Sequence, residues 1–314
     1  MVKKRIHDKR KKDLIFYVVM LALPVLQFSI FYVGVNFNSI LMIFQKYDEA
    51  SKDFIFLDAH NIFKNFTDVF HSLKTETVFP FALKNSLISY AVSLVAGTVL
   101  ALVFSYYIYK QFPMHGLVKV VLFTPSIISG MVLVSIFIQF VNAVIPDVFQ
   151  MISGSETKIL PFITKPPTSK TFGTILFYCI WIGFGGNILL YVGAMNNISE
   201  SVSEACRLDG ANLFQEMIYI VFPLIYPTFV TFMVVGVGGI FTNQMALYSF
   251  FGGDAAESLQ TFGYYLFRMT KAASDNGGRE YPFLATMGIL MTLIVAPLTF
   301  LVKWALEKVG PKVD

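Results

Sequence analysis

Residues 86–109 read SLISYAVSLVAGTVLALVFSYYIY, a run of 24 residues without a charged side chain. At about 1.5 Å per residue, a helix of this length crosses the ~30 Å hydrocarbon core of a bilayer. Five further apolar runs are also long enough, so the candidate spans are residues 14–34, 86–109, 117–141, 172–194, 218–241 and 282–303. The sequence therefore predicts an all-α polytopic membrane protein with six transmembrane helices.

The overall composition agrees with this prediction. Of the 314 residues 55% are hydrophobic and 14% are charged, whereas soluble domains carry about 25% charged residues. The mean hydropathy of +0.64 is far above the value of a soluble domain. A water-soluble enzyme, a nucleic-acid binder and a disordered scaffold are thereby excluded as default interpretations. The two cysteines, Cys179 and Cys206, provide neither a disulfide framework nor a CxxC motif.

Charge placement predicts the orientation of the chain. Residues 1–13 contain seven Lys and Arg against two Asp, and such basic flanks remain in the cytoplasm. Six spans then return the carboxyl terminus to the same side. The predicted organisation is a basic cytoplasmic tail (1–13), a first transmembrane helix (14–34), an extracytoplasmic loop (35–85), a five-helix core (86–305) and a cytoplasmic tail (306–314), with further outer segments at 142–171 and 242–281.

The first outer segment contains a helical pattern. Phe63, Phe66, Phe70 and Leu73 recur at spacings of three to four residues, with polar residues between them. This periodicity predicts an amphipathic helix at the membrane interface. The alternative is a helix that packs over the outer ends of the bundle.

Several kinds of chemistry are absent from the sequence. It contains no GxxxxGK[ST] motif, and its glycine clusters at 183–186 and 236–239 lie inside apolar runs, where they favour close helix packing. None of the four histidines lies in a span, so no metal site is predicted there. Ionisable residues are nearly missing from the span centres, so we expect the energy source to lie outside the bilayer.

The most informative loop lies before the fifth span. Residues 199–227 read SESVSEACRLDGANLFQEMIYIVFPLIYP. The pattern predicts a polar, acidic helix, a break at Asp209 and Gly210, and a span whose start is restricted by Pro223 and Pro227. Because the loop at 195–217 has one basic residue against four acids, it departs from the positive-inside rule. We expect a partner protein to shape it, with Glu204 facing that partner.

This segment resembles the EAA signature of the inner-membrane permease subunits of binding-protein-dependent ABC importers. The matching positions are Glu204-Ala205-Cys206, Asp209-Gly210-Ala211, Ile220 and Phe222-Pro223. Cys206 stands for the third alanine and Phe222 for the leucine of that signature. The resemblance implies the type I ABC importer permease fold in a bacterial plasma membrane. It also implies a coupling helix that docks into a separate cytoplasmic ATPase through Glu204, Ala205, Asp209, Gly210, Ala211 and Pro223.

Two flanking stretches are similar to the carbohydrate-uptake branch of these permeases. They are residues 181–201, with a Trp and a Gly-rich Asn segment, and residues 238–270, with a Gly-Gly turn and a Tyr-containing helix. The implied partners are a second homologous permease, an ATPase dimer and an extracytoplasmic solute-binding protein that delivers a sugar or oligosaccharide. ATP and Mg would be bound by the ATPase, so this chain itself would hold no cofactor and no catalytic residue.

A sugar site inside a bilayer needs aromatic faces and amide or hydroxyl groups turned towards the bundle interior. Side chains of this kind lie on the fourth span and just after the fifth, namely Asn187, Tyr191, Asn243, Gln244 and Tyr248. Since Asn187 and Tyr191 are four residues apart, we expect both to face one cavity. The alternative is that the amides join helices and the tyrosines lie at the lipid interface.

Three rival functions remain. A permease for another solute, such as glycerol phosphate or a polyamine, would have the same architecture. A phosphate ligand would require inward basic residues in the outer spans, and the sequence shows none. An ion-coupled secondary carrier would need membrane carboxylates and would not need a docking loop. A membrane hydrolase would need a nucleophile beside a base, and the sequence offers no such pair.

Overall fold

The structure is a computed structural model that describes residues 2–154 and 161–311. Part of the predicted outer segment 142–171 and the end of the predicted tail 306–314 lie outside the described residues. The first helices are α1 (Val2–Gln27), α2 (Val35–Met42), α3 (Lys64–Thr75), α4 (Val78–Tyr109), α5 (His115–Ile127), α6 (Gly130–Gln139) and α7 (Ile145–Ser153). They are followed by α8 (Ser169–Asn196), α9 (Glu200–Leu208), α10 (Leu213–Glu216), α11 (Phe222–Gly238), α12 (Leu247–Phe251), α13 (Phe262–Asp275) and α14 (Tyr281–Val309).

Six helical segments of the described chain are long and apolar enough to cross a membrane. They are Lys12–Met42, Val78–Tyr109, Gly130–Ser153, Ser169–Asn196, Leu213–Gly238 and Tyr281–Val309. Three of them join consecutive helices through a wider turn with π-helical geometry, at Phe28–Gly34, Phe140–Val144 and Met217–Val221. The predicted six-helix, all-α membrane fold is confirmed.

The predicted third span, residues 117–141, is wrong in its placement. Helix α5 ends at Ile127, Ile128 and Ser129 are extended, and the long helix runs from Gly130 to Ser153. Pro125 lies in the last turn of α5 and has no N–H to donate, which weakens the helix at this point. Hydropathy stays high across the break, so the apolar run alone does not reveal it.

The described chain divides into two compact units, of which the first comprises residues up to Lys74 together with Thr270–Leu290. It contains a hairpin that the sequence analysis missed, with strands β1 (Gln45–Asp48) and β2 (Asp53–Phe56) paired antiparallel. In its turn, the hydroxyl and N–H of Ser51 donate to the Asp48 carboxylate at 2.8 and 3.0 Å, which lowers the pKa of Asp48.

The predicted amphipathic helix is present in this unit as α3. Val69 is fully buried, whereas Phe63, just before the helix, and Phe70 are 64% and 52% exposed. The buried Asn65 side chain donates to the carbonyl oxygens of Ile43 and Gln45 at 2.8 Å, which attaches α3 to the start of the hairpin. Exposed aromatic side chains are consistent with an interfacial helix, and its location at the membrane surface stays a prediction.

The second unit comprises Thr75–Met269 and the chain from Met291 onwards. One of its cores is aromatic and lies between α6, α8 and α12. The Tyr178 ring there lies 4.9 Å from Phe137 and 5.1 Å from Phe250, measured between ring centroids. A second core packs the later part of α8 against α4 and α11, and it includes Ala101 and Ile225.

Close helix packing explains one of the predicted glycine clusters. A Cβ atom on Gly185 of α8 would collide with the backbone carbonyl oxygen of Leu122 in α5. Glycine therefore allows these two backbones to approach each other, as the sequence analysis expected of the cluster at 183–186.

Candidate functional site

The loop at 195–217 folds as a short helix followed by a glycine turn. Helix α9 covers Glu200–Leu208, and Gly210 has a φ of +75°. The backbone N–H of Asp209 donates to the Ala205 carbonyl at 3.0 Å, and that of Ala211 donates to the Cys206 carbonyl at 3.2 Å. Many helices end in this way, with a residue in the left-handed conformation and with the N–H groups around it bonded to the last carbonyl groups of the helix. The predicted helix and the predicted break are therefore both present.

The next helix starts immediately after this turn. Asn212 caps α10 by accepting the backbone N–H of Gln215 at 2.9 Å, and the Gln215 side chain accepts the N–H of Asn212 at the same distance. Pro223 lies within the first two positions of α11, which continues without a break from the π-helical turn at Met217–Val221, so its missing N–H removes one backbone hydrogen bond from the segment Leu213–Gly238. The chain thus passes from α9 into a membrane span through a reciprocal cap.

The two faces of α9 differ in exposure. Glu204 and Ala205 are exposed, as are Asp209 and Gly210 after the helix, whereas Ala211 is half-buried. Cys206 is only 3% exposed and anchors the opposite face. The residues predicted to contact a partner therefore lie mostly on an accessible acidic surface.

Behind α9 lies a buried polar cluster that the sequence analysis missed. Lys110, directly after α4, forms an ion pair with Glu216 of α10, and their side chains are 6% and 5% exposed. Lys110 Nζ also donates to Ser203 Oγ of α9 at 2.9 Å. Ser203 Oγ donates to Glu216 Oε1 at 3.0 Å, and the Tyr106 hydroxyl donates to Glu216 Oε2 at 3.1 Å. We call Tyr106, Lys110, Ser203 and Glu216 the buried ion-pair cluster.

One weak signal could have found this cluster. Lys110 ends one apolar run and Glu216 begins another, so each is an isolated charge at the end of a predicted span. Opposite charges at span ends are candidates for a mutual ion pair. Because the two residues are 106 positions apart, no local sequence pattern reveals the pairing.

A cavity of about 340 Å³ lies among α4, α8 and the end of α11. Its lining includes aromatic, hydroxyl and amide side chains, namely Tyr90, Ser93 and Thr98 of α4, Asn187 of α8, Phe232 of α11 and Asn243 beyond α11. Two of the five predicted substrate residues, Asn187 and Asn243, are thus brought together. They come from different helical segments, 56 positions apart in sequence.

The turn after α11 holds Asn243 in place. Its Oδ1 accepts the backbone N–H of Met245 at 2.8 Å, and its backbone carbonyl accepts the Thr261 hydroxyl at 2.8 Å. The Nδ2 group is then the remaining side-chain donor of Asn243. A Cβ atom on Gly263 would come within 2.5 Å of the Thr242 carbonyl group, so glycine is required for this close approach.

The other predicted substrate residues do not line this cavity. Tyr191 is 1% exposed in the second core, and its ring lies 4.9 Å from that of Phe232. The expected shared orientation of Asn187 and Tyr191 fails because Phe232 of α11 covers the next turn of α8. Gln244 and Tyr248 are both half-buried, and the Tyr248 ring lies edge-on to Phe267 at 5.1 Å. A sugar contact by these residues stays a prediction.

Within residues 2–154 and 161–311, no group of three or more described His, Cys, Asp or Glu side chains is arranged to hold a metal ion. The polar groups that do converge are the amides and hydroxyls of the cavity and the buried ion-pair cluster. These arrangements can bind hydroxyl-rich ligands and fix helices.

Known transport proteins are similar to this chain. A probable ABC transporter permease protein of Mycoplasma genitalium is 24% identical over 298 residues, covering 92% of this chain and 87% of the relative. The maltose/maltodextrin transport system permease protein MalF of Shigella flexneri is 24% identical over 247 residues, covering 75% of this chain and 47% of the relative. The chain therefore matches about half the length of that maltose protein.

Two crystal structures share the fold. A bacterial ABC transporter involved in the import of the acidic polysaccharide alginate superposes with a TM-score of 0.74 at 20% identity, covering 98% of this chain and 100% of that one. The alginate transporter in complex with an alginate pentasaccharide-bound periplasmic protein gives a TM-score of 0.72 at 19% identity, covering 95% and 96%. At these identities the likeness establishes the fold alone.

The family model of the binding-protein-dependent transport system inner membrane component matches residues 93–314. The match contains five of the six membrane spans wholly or in part, the cavity lining except Tyr90, α9 and the buried ion-pair cluster. It covers well over half of the chain. This protein is therefore a multi-pass membrane protein of the binding-protein-dependent transport system inner membrane component family.

Proposed function

We propose that this chain is one permease subunit of an ATP-driven ABC importer for a sugar or short oligosaccharide. The observation that carries the proposal is an exposed acidic helix, α9, whose rear face is held by a buried ion pair, within a chain of the inner membrane component family. Such a helix offers a separate protein a fixed docking surface. The names of the maltose and alginate proteins support carbohydrate as the class of cargo.

Helix α9 docks onto a separate cytoplasmic ATPase, which binds ATP and Mg and supplies the energy. Glu204 is the central acidic group of the exposed surface, flanked by the exposed Glu200 and Asp209. Charge complementarity of this kind guides association and fixes the register of an interface. In this arrangement both termini lie in the cytoplasm, because the basic first thirteen residues are costly to translocate.

The cavity that contains Asn187 and Asn243 provides part of the sugar pathway. Amide groups donate to and accept from sugar hydroxyls, and aromatic faces such as Tyr90 and Phe232 stack on pyranose rings. A second, homologous permease completes the pathway, and an extracytoplasmic binding protein delivers the sugar. A ligand drives the cycle only through different affinities for the two facing states, so tight binding by this chain is unnecessary.

The test is a charge reversal on α9. Glu204→Lys should abolish ATP-driven uptake and weaken copurification of the ATPase, because it reverses an exposed charge and leaves the buried face of α9 unchanged. Asp58→Lys is the matched control, since Asp58 is also an exposed acid but lies in the predicted outer loop. Normal uptake by Glu204→Lys, with the ATPase still bound, would contradict the docking role.

A further inference from the structure

The buried ion-pair cluster joins three separate elements. Lys110 follows α4, Ser203 is part of α9, and Glu216 is part of α10, which forms the first turn of the fifth span. The hydrogen bonds between them connect residues 93 and 106 positions apart. The cluster is therefore a direct side-chain link between α9 and two membrane spans.

Both charged groups of the cluster have several polar partners. Glu216 Oε1 accepts from Lys110 and Ser203, and Oε2 accepts from Tyr106. The Lys110 ammonium also lies 5.8 Å from the Tyr106 ring centroid and 5.6 Å from that of Tyr109. Buried ion pairs are a poor source of net stability, because removing two charges from water is costly. Breaking such a pair is nevertheless costly, because removal of one partner leaves an uncompensated buried charge.

The cluster also determines which way α9 faces. Ser203 and Cys206 are three residues apart and therefore lie on one side of the helix, turned inwards. Glu204 is rotated by about 100° from Ser203 at 3.6 residues per turn, and it is exposed. If Ser203 lost its contacts, α9 could rotate and Glu204 would change direction.

We propose that Lys110, Glu216 and Ser203 act as positioning residues that fix α9 to the ends of the second and fifth spans. A displacement of α9 then moves both spans as one body. This inference rests on the proposed function, because it concerns how motion of a docked ATPase reaches the pathway. Of the four residues of the buried ion-pair cluster, Ser203 is the one that lies on α9.

The native thiol of Cys206 reports the seating of α9. In a Cys179→Ala background it is the sole cysteine of the chain, and it is 3% exposed on the inward face. We expect Ser203→Ala to accelerate its reaction with N-ethylmaleimide about tenfold in the purified complex, since it removes hydrogen bonds to two charged groups. Ser203→Thr keeps the hydroxyl and should restore slow labelling. An unchanged labelling rate in Ser203→Ala would overturn the proposal.

The same variants are compared for sugar transported per ATP hydrolysed, with maltose as the probe in proteoliposomes. Ser203→Ala should lower this ratio several-fold at an equal amount of complex, and Lys110→Met should lower it further. The control variant comes from an exposed ion pair, in which Arg279 Nη1 lies 2.9 Å from Glu49 Oε1. Glu49→Gln should leave the amount of sugar transported per ATP unchanged. If Ser203→Ala transported as much sugar per ATP as the wild type, the positioning role would be refuted and the proposed function would stand. Failure of the wild-type chain to bind an ATPase would refute the proposed function.

Discussion

Gly210 allows a sharp test of the turn that ends α9. The substitution Gly210→Val places a β-branched side chain on a residue with a φ of +75°. A Cβ atom there would have no neighbour within 4 Å, so the effect is confined to the backbone. A non-glycine residue in the left-handed region costs roughly 1–2 kcal/mol, and β-branching adds to this. A free energy of that size lowers the population of the native turn by about 5- to 30-fold.

Transport should follow this loss of the native turn. The measurement is the initial rate of ATP-driven sugar uptake, normalised to the amount of chain in the membrane. Gly210→Asn is the matched control, because asparagine tolerates the left-handed conformation better than valine does. We expect Gly210→Val to lose most of the uptake and Gly210→Asn to retain most of it. Equal uptake by the two variants would refute the claim that the turn positions α9.

Three further predictions concern the cavity, the core and the topology. Asn187→Ala should weaken sugar uptake several-fold, to a degree that depends on the sugar, since a lost hydrogen bond contributes about 1 kcal/mol. An equal loss of uptake for two related sugars, together with a lowered melting temperature, would instead indicate that Asn187 packs helices together. Tyr191→Phe should raise the free energy of unfolding by about 1 kcal/mol, because the buried Tyr191 hydroxyl has no hydrogen-bond partner among the described residues. A lower unfolding temperature in this variant would contradict the prediction. In a chain with Cys179→Ala, Cys206→Ala and Leu208→Cys, position 208 at the end of α9 is 89% exposed in the native chain, and membrane-impermeant maleimide should label it only after the cells are permeabilised. Labelling at position 208 in intact cells would contradict the cytoplasmic location of α9.

The number of membrane spans could be predicted because hydrophobic length is a local property. Each predicted span depends on about twenty consecutive residues. The third span was misplaced because the break at Ile128 and Ser129 interrupts the backbone and not the hydropathy. The hairpin at Gln45–Phe56 was missed for a related reason. Its strands are four residues each, too short for an alternating pattern to stand out.

The candidate site was predictable only in its local parts. The exposure of Glu204 and the break at Gly210 follow from short-range polarity and glycine conformation. The ion pair of Lys110 and Glu216 depends on how α4 and α10 meet, which no local window contains. The burial of Tyr191 has the same origin, because Phe232 from another helix covers it.

Reconstitution tests the central claim most directly. The chain is purified with its copurifying subunits and placed in proteoliposomes that contain ATP, and uptake of labelled maltose and lactose is measured with and without the solute-binding protein. The account predicts uptake that requires both ATP and the binding protein and that Glu204→Lys abolishes. Sugar uptake driven by an ion gradient without ATP, or ATP-driven uptake of a non-sugar solute alone, would contradict it.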